Sequence, residues 1–176
     1  MCKGLRSTRL DDVRSTMEGL FHEVGLPERI RTDNGEPFAS HGISGLTRLN
    51  VWWMRLGIRH ERIDKGCPYQ NGAHERMHQD LKAETTRPPA HSLSGQQILF
   101  DDFVNDYNNV RPHEGIGQRR PSNLWAPSHR PYPERLDDPE YPGYFEVRRV
   151  RHNGDIKFRG QRCFVSLALT GQLVGL

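Results

Sequence analysis

A chain of 176 residues with 34% hydrophobic content and a mean hydropathy of −0.80 has room for one medium domain, or a modest domain plus a small one, around a thin core. The net charge of +3 and isoelectric point near 8.9 permit a polyanionic partner without requiring one. Three dispersed cysteines, Cys2, Cys67 and Cys163, exclude a disulfide framework or C-x-x-C zinc knuckle and fit a reducing cytoplasm; no apolar run reaches membrane-spanning length, and the N-terminus lacks a signal-peptide core.

The first readable element covers residues 10–24. Val13, Met17, Leu20, Phe21 and Val24 fall on one helical face, Thr8 and Asp11 have capping-box spacing, and Gly25 with Pro27 stops the helix. A short strand over 29–32 ends at Asp33-Asn34-Gly35. A second helix is expected over about 45–56, striped by Leu46, Leu49, Trp53 and Leu56, with Gly57 closing it. Trp52 and Trp53 read as core residues rather than base-stacking groups. Residues 58–63 read as a weak strand, and the loop from Asp64 to Gly72 leads into a helix over about 73–86, ended by Pro88-Pro89. The next helix runs from Ser94 to about Asn108, with Ser94 and Gln97 as a second capping box.

Between Arg111 and Gly143 lie seven of the twelve prolines, the mark of a linker or wrapping arm. From Tyr144 the pattern turns to β, with Phe145 and Val147 on one face. His152-Asn153-Gly154-Asp155 is a hairpin signal, and Gly160-Gln161 a second turn.

Asp33 sits where a strand ends, a place where a sheet can fix a carboxylate and a loop can leave it open. The same tripeptide is also an ordinary turn signal. Glu75 occupies the first turn of a helix whose face continues through His78, Gln79 and Lys82, while Ala73, Met77 and Leu81 suit packing. A solvated amphipathic helix would show the same pattern. His74, adjacent to Glu75, is expected to point elsewhere, leaving His78 as the imidazole to test near metal or phosphate.

The combination is more specific than its parts. Gly25-Leu26-Pro27 and Arg31-Thr32-Asp33-Asn34-Gly35 come first, then Gly66-Cys67-Pro68-Tyr69-Gln70-Asn71-Gly72 with Glu75-Arg76, then Asn108 and Arg111-Pro112-His113. In that order, with 41 residues between Asp33 and Glu75, the chain resembles the DDE-type transposases of bacterial insertion sequences and their retroviral integrase relatives over about residues 10–176. The resemblance implies an α/β fold: an incomplete RNase H-like core, a mixed sheet flanked by helices, over residues 1–124. A Pro-rich linker over 125–143 and a small, incomplete, basic SH3-like β-barrel segment over 144–176 would follow.

The resemblance also implies chemistry. Three carboxylates of the family hold two Mg²⁺ (or Mn²⁺) ions, which stabilise charge on the attacking and leaving oxygens of a phosphodiester. Asp33 matches the second Asp and Glu75 the Glu, as both catalytic and metal-ligating residues. The family's first Asp lies on a strand ahead of the helix at Leu10, and Asp11 and Asp12 on that helix's polar side cannot replace it. The chain is therefore expected to be N-terminally truncated, with an incomplete metal site, and inactive alone.

DNA, as transposon ends and target, is the implied partner, with self-association on DNA, no membrane, and a bacterial cytoplasmic location. Lys65, Asn71, Arg76, Gln79 and Lys82 are the expected DNA contacts near the acidic residues. Arg148, Arg149, Arg151, Lys157 and Arg159 are those of the C-terminal segment, each weighed against a plain solvated surface. The alternative function is a catalytically dead DNA-binding or interaction module. A nuclease of the RNase H type is disfavoured by the run from Asn108 to His113 and by the basic tail.

Overall fold

The apolar stripe of the first element folds as α1 (Leu10–Val24), with Val13 and Phe21 buried. The protein is described by a computed structural model covering residues 1–40, 42, 45–64 and 66–176. The expected box between Thr8 and Asp11 does not form. Arg9 holds the N-cap position without a side-chain bond, and the Ser7 hydroxyl donates instead to Asp12. At the other end Gly25 takes a φ of 78°, and a Cβ there would stand 2.7 Å from the Ser128 carbonyl oxygen and 2.8 Å from that of Arg130. Only glycine fits this crossing of backbones.

The described residues divide into two compact units: Met1–Gly25 with Asp64–Pro131, and Leu26–Ile63 with Tyr132–Leu176. The division runs through the expected core span and groups the C-terminal strands with residues 26–63.

In the first unit, α3 (Gly72–Thr85) packs on α4 (Leu93–Asn105). The amide of Gln96 ties the end of α3 to the turn that follows, donating to the Thr85 carbonyl at 2.8 Å and accepting from the Ala90 N–H at 3.1 Å. The α4 N-cap is Ser92, whose hydroxyl accepts from the Gly95 N–H at 3.0 Å; Ser94 and Gln97 do not form the expected box. Gln97 is instead claimed by the N-terminal segment, accepting from the Gly4 N–H at 3.0 Å and donating to the Cys2 carbonyl at 2.9 Å. Beyond α4 the helix widens into a π-turn, Asp106–Val110.

In the second unit, β1 (Arg29–Thr32) and β2 (Arg59–Arg62) pair in parallel, Arg29 opposite Arg59 and Thr32 opposite Arg62. Between them runs α2 (Arg48–Arg55), which starts later than expected because Thr47 and Asn50 form a reciprocal capping box, with bonds of 3.2 and 3.0 Å. Leu49, Val51, Trp52, Trp53, Leu56 and Ile58 are buried and form the centre of this core.

The C-terminal residues form two antiparallel pairs: β3 (Val147–Arg149) with β6 (Leu173–Gly175), and β4 (Asp155–Phe158) with β5 (Gln161–Phe164). The expected turn at His152-Asn153-Gly154-Asp155 closes, the Arg151 N–H donating to the Asp155 carbonyl at 2.8 Å, but its flanking strands find other partners. Arg55 anchors the Pro-rich stretch, donating to the carbonyls of Leu136 at 3.0 Å and Asp137 at 2.7 Å, and to the Gln172 side chain at 3.1 Å. From Tyr132 onward the arm is thus a strap within the second unit, whereas its residues up to Pro131 belong to the first. Among the described residues no helix is long and apolar enough to cross a membrane.

Candidate functional site

Asp33 follows β1 directly and its side chain is exposed. Its Oδ1 accepts from the Gly35 N–H at 2.9 Å, the short loop bond that Asx residues make, and this fixes the carboxylate's orientation. The backbone behind it is held by a relay of neutral bonds. Asn50 Nδ2 donates to His60 Nδ1 at 3.2 Å, so the His60 Nε2–H donates to the Thr32 hydroxyl at 2.8 Å. That hydroxyl in turn donates to the Asp33 carbonyl at 2.8 Å. Burial, with repulsion from Arg62, lowers the His60 pKa below its ordinary value and so favours the neutral ring this relay requires. Trp53 stands edge-on to His60 with centroids 5.0 Å apart, locking the imidazole in place. Asn34 adds a bond to the Ile63 carbonyl at 2.9 Å.

Glu75 lies in the first turn of α3, exposed to solvent. Gln79 and Lys82 are exposed on the turns that follow, while Met77 and Leu81 are half-buried, as the apolar side of the helix requires. Arg76 is paired with Asp80 at 3.6 Å, so part of its charge is already answered. Asn71 does not cap the helix with its side chain; its amide meets His74 Nδ1 at 3.4 Å. Nor does His74 stand apart. Its ring packs on that of His78 with centroids 4.3 Å apart. Burial, with repulsion from His74 and Lys82, lowers the His78 pKa. The i, i+4 spacing of the two histidines was the signal available for this pair. Lys65 lies outside the described residues.

Asp33 thus belongs to one unit and Glu75 to the other. As single donors both suit a hard divalent cation, being exposed oxygen ligands, Asp33 in the loop after β1 and Glu75 on α3. Among the described residues no group of three His, Cys, Asp or Glu side chains is assembled that could hold such an ion.

The run through Arg111-Pro112-His113 is a packing device. The Arg111 guanidinium makes a two-pronged pair with Glu84 of α3, at 2.7 and 2.9 Å, and a further bond from Nε to Asp106 at 3.0 Å. Hydrogen bonds donated to Glu84 first, then to Asp106, raise the Arg111 pKa, and the same pairing lowers that of Glu84. His113 donates to the Tyr107 carbonyl at 2.8 Å and its ring lies 4.3 Å from the Tyr107 ring. Arg111→Lys keeps the charge and loses the fork. Because these groups are partly solvated, thermal unfolding should register a loss of only about 1–2 kcal/mol.

Arg148, Arg149, Arg151, Lys157 and Arg159 come together. With Glu146 and Gly160 they line one open basin of about 440 Å³ in the second unit. Arg148 is held by Glu146 at 2.8 Å, and Arg149 by Asp138 at 3.0 Å and the Gly171 carbonyl at 2.7 Å. Lys157 and Arg159 form no ion pair among the described residues. Arg159 sits at the tip of the β4–β5 hairpin, its guanidinium 5.0 Å from the Phe158 ring centroid. Such a basin presents directed N–H donors to a polyanion.

Residues 56–121 match the integrase core domain family, a span that includes Glu75 and the Arg111-Pro112-His113 run and excludes Asp33. The chain is also similar to the insertion element IS476 uncharacterized 39.2 kDa protein of Xanthomonas euvesicatoria, 29% identical over 123 residues that cover 69% of this chain and 34% of the relative. A second relative is the insertion element IS407 uncharacterized 31.7 kDa protein of Burkholderia multivorans, 28% identical over 107 residues covering 60% of this chain and 36% of that protein. The chain spans about a third of the length of these two relatives. An integrase core domain implies an RNase H-like fold, with which the helices and small sheets described here agree as a mixed α/β architecture.

Proposed function

We propose, from the insertion-element transposase or integrase-like core that the chain carries, a role in DNA transposition: cleavage of a phosphodiester and transfer of the strand end, assisted by a divalent metal. The observation that carries this reading is Glu75, exposed in the first turn of α3 inside the matched segment, with Gln79 and Lys82 following on the next turns. Glu75 and Asp33 would hold Mg²⁺ or Mn²⁺, together with a third carboxylate. When bound, the metal stabilises the charge that builds on the attacking and leaving oxygens.

The chain's own residues supply the rest. The Thr32–His60–Asn50 relay keeps the Asp33 loop in register, and the Gly35 N–H orients its carboxylate. Lys65, Asn71, Arg76, Gln79 and Lys82 contact DNA phosphates near Glu75. Arg148, Arg149, Arg151, Lys157 and Arg159 grip the backbone through the basic basin, in the manner of an SH3-like integrase tail. Transposon ends and target DNA are the substrates, and copies of the chain associate on DNA in the bacterial cytoplasm.

A second reading, a DNA-binding module without catalysis, draws on a different observation: the basic basin is assembled within one unit, whereas no three-carboxylate group is assembled among the described residues. The longest open reading frame containing these residues should be assayed for Mg²⁺- or Mn²⁺-dependent cleavage and joining of duplexes bearing the element's terminal repeats. Salt-sensitive binding with no cleavage in either ion favours the module. For the basin, Lys157→Ala and Arg159→Ala should each weaken binding equally across DNA sequences and flatten the slope of log K against log salt by about 0.9. Anisotropy titrations with unchanged slopes would remove the basin from the interface.

A further inference from the structure

Strand transfer as proposed uses Glu75 and leaves unused the two imidazoles that flank it. His74 and His78 stand at i and i+4 in the opening turns of α3, so their rings leave the helix on one side. The ring centroids are 4.3 Å apart, with planes inclined at 44°, and both side chains are exposed. Together with Glu75 they read His74-Glu75-Arg76-Met77-His78, the spacing at which two histidines on one helix turn hold Zn²⁺.

We propose that His74 and His78 form a binding site for a borderline transition cation of the Zn²⁺ class, separate from the oxygen-ligand ion assigned to Asp33 and Glu75. Imidazole nitrogens select Zn²⁺, Ni²⁺ or Cu²⁺ over Mg²⁺, which takes oxygen ligands. Asn71 supplies the outer support such a site needs. With an ion on His74 Nε2 the ring proton moves to Nδ1, and the Asn71 amide, 3.4 Å away, accepts it through its carbonyl oxygen once the amide is turned. Of the neighbouring cations, Arg76 is already paired with Asp80, which lowers the repulsion an incoming ion meets, while Lys82 stands one turn beyond His78 and opposes it.

Among the described residues no third His, Cys, Asp or Glu joins the pair, so water fills the remaining positions and the ion exchanges readily. The first turn of α3 lacks a side-chain cap, so a cross-link from His74 to His78 also stiffens a helix end that has no such support.

The site stands whether or not Glu75 serves in strand transfer, and the experiment separates the two. Calorimetric titration of the whole chain with ZnCl2 should show one ion per chain, with a rise in Tm. His74→Ala and His78→Ala should each weaken binding by at least about tenfold, with helical circular dichroism retained because both residues are exposed. His91→Ala serves as a control for other histidines, and Glu75→Gln should leave Zn²⁺ binding within about twofold while, on the proposed function, it lowers strand transfer. Absence of stoichiometric binding overturns the proposal, as does binding that survives both histidine variants unchanged. Loss of Zn²⁺ binding in Glu75→Gln overturns the separation of the two sites.

Discussion

On the proposed reading, Glu75→Gln or Asp33→Asn in the longest open reading frame is expected to lower metal-dependent strand transfer at least about 10²–10³-fold, while DNA binding changes only a few fold. Each substitution keeps the shape of the side chain and removes the charge that a divalent ion requires. Neither should disturb the fold. Both residues are exposed, and the bond that orients Asp33 survives in the variant, because an Asn side-chain oxygen accepts from the Gly35 N–H as a carboxylate oxygen does. Stability should therefore stay within about 0.5 kcal/mol, so lost activity reports on chemistry rather than on unfolding. Asp11→Asn, on the exposed side of α1, is the matched control. Joined product formed at the parental rate by either variant would remove that residue from the site.

The largest stability effect belongs to Trp53. Its side chain is 0% exposed, stacks on Phe38 with centroids 6.1 Å apart and meets His60 at 5.0 Å. Trp53→Ala should destabilise the second unit by about 3–5 kcal/mol, the range for emptying a large aromatic site in a core. Domains of this size hold only about 5–15 kcal/mol in total, so much of the population would unfold. The loss would also free His60 and with it the relay behind Asp33, linking packing to the acidic loop. Trp53→Phe should cost less, about 1–2 kcal/mol, because the buried indole N–H has no acceptor among the described residues and its removal strands nothing. Urea unfolding measures both; equal losses for Ala and Phe would contradict this account.

What the sequence made legible was local. The limits of α1 follow from one apolar stripe and the Gly25-Leu26-Pro27 stop, and β1 from the four residues ahead of Asp33-Asn34-Gly35. Trp52 and Trp53 are buried as expected. The errors share a physical cause, competition from partners distant in the chain or from a cap with unusual chemistry. Gln97 matched a capping box by spacing, yet Cys2 and Gly4, more than ninety positions away, engage its amide. The start of α2 was obscured because Leu46 extends the apolar stripe, while the actual cap uses Asn50 where Glu or Gln is the usual partner. In the C-terminal segment the turn at Gly154 is a local property, whereas the pairing of β3 with β6 depends on residues more than twenty positions apart. At the candidate site the local placement of Asp33 after a strand and of Glu75 at a helix start was readable. The imidazole pair was legible only through its i, i+4 spacing, which puts His74 beside His78 one turn on although its sequence neighbour is Glu75.

The tip of the β4–β5 hairpin carries a consequence for protein engineering. Arg159 and Gly160 bridge the strands with φ angles of 47° and 83°, the left-handed geometry that suits Asn-Gly. An arginine in that first position is strained by about 1–2 kcal/mol, offset in part by its contact with the Phe158 ring. Any optimisation scored on turn propensity alone would put asparagine there and gain stability. On the proposed reading it would also remove a phosphate contact from the hairpin tip that lines the basin, so rankings of variants at this position by robustness and by nucleic-acid affinity should run in opposite directions.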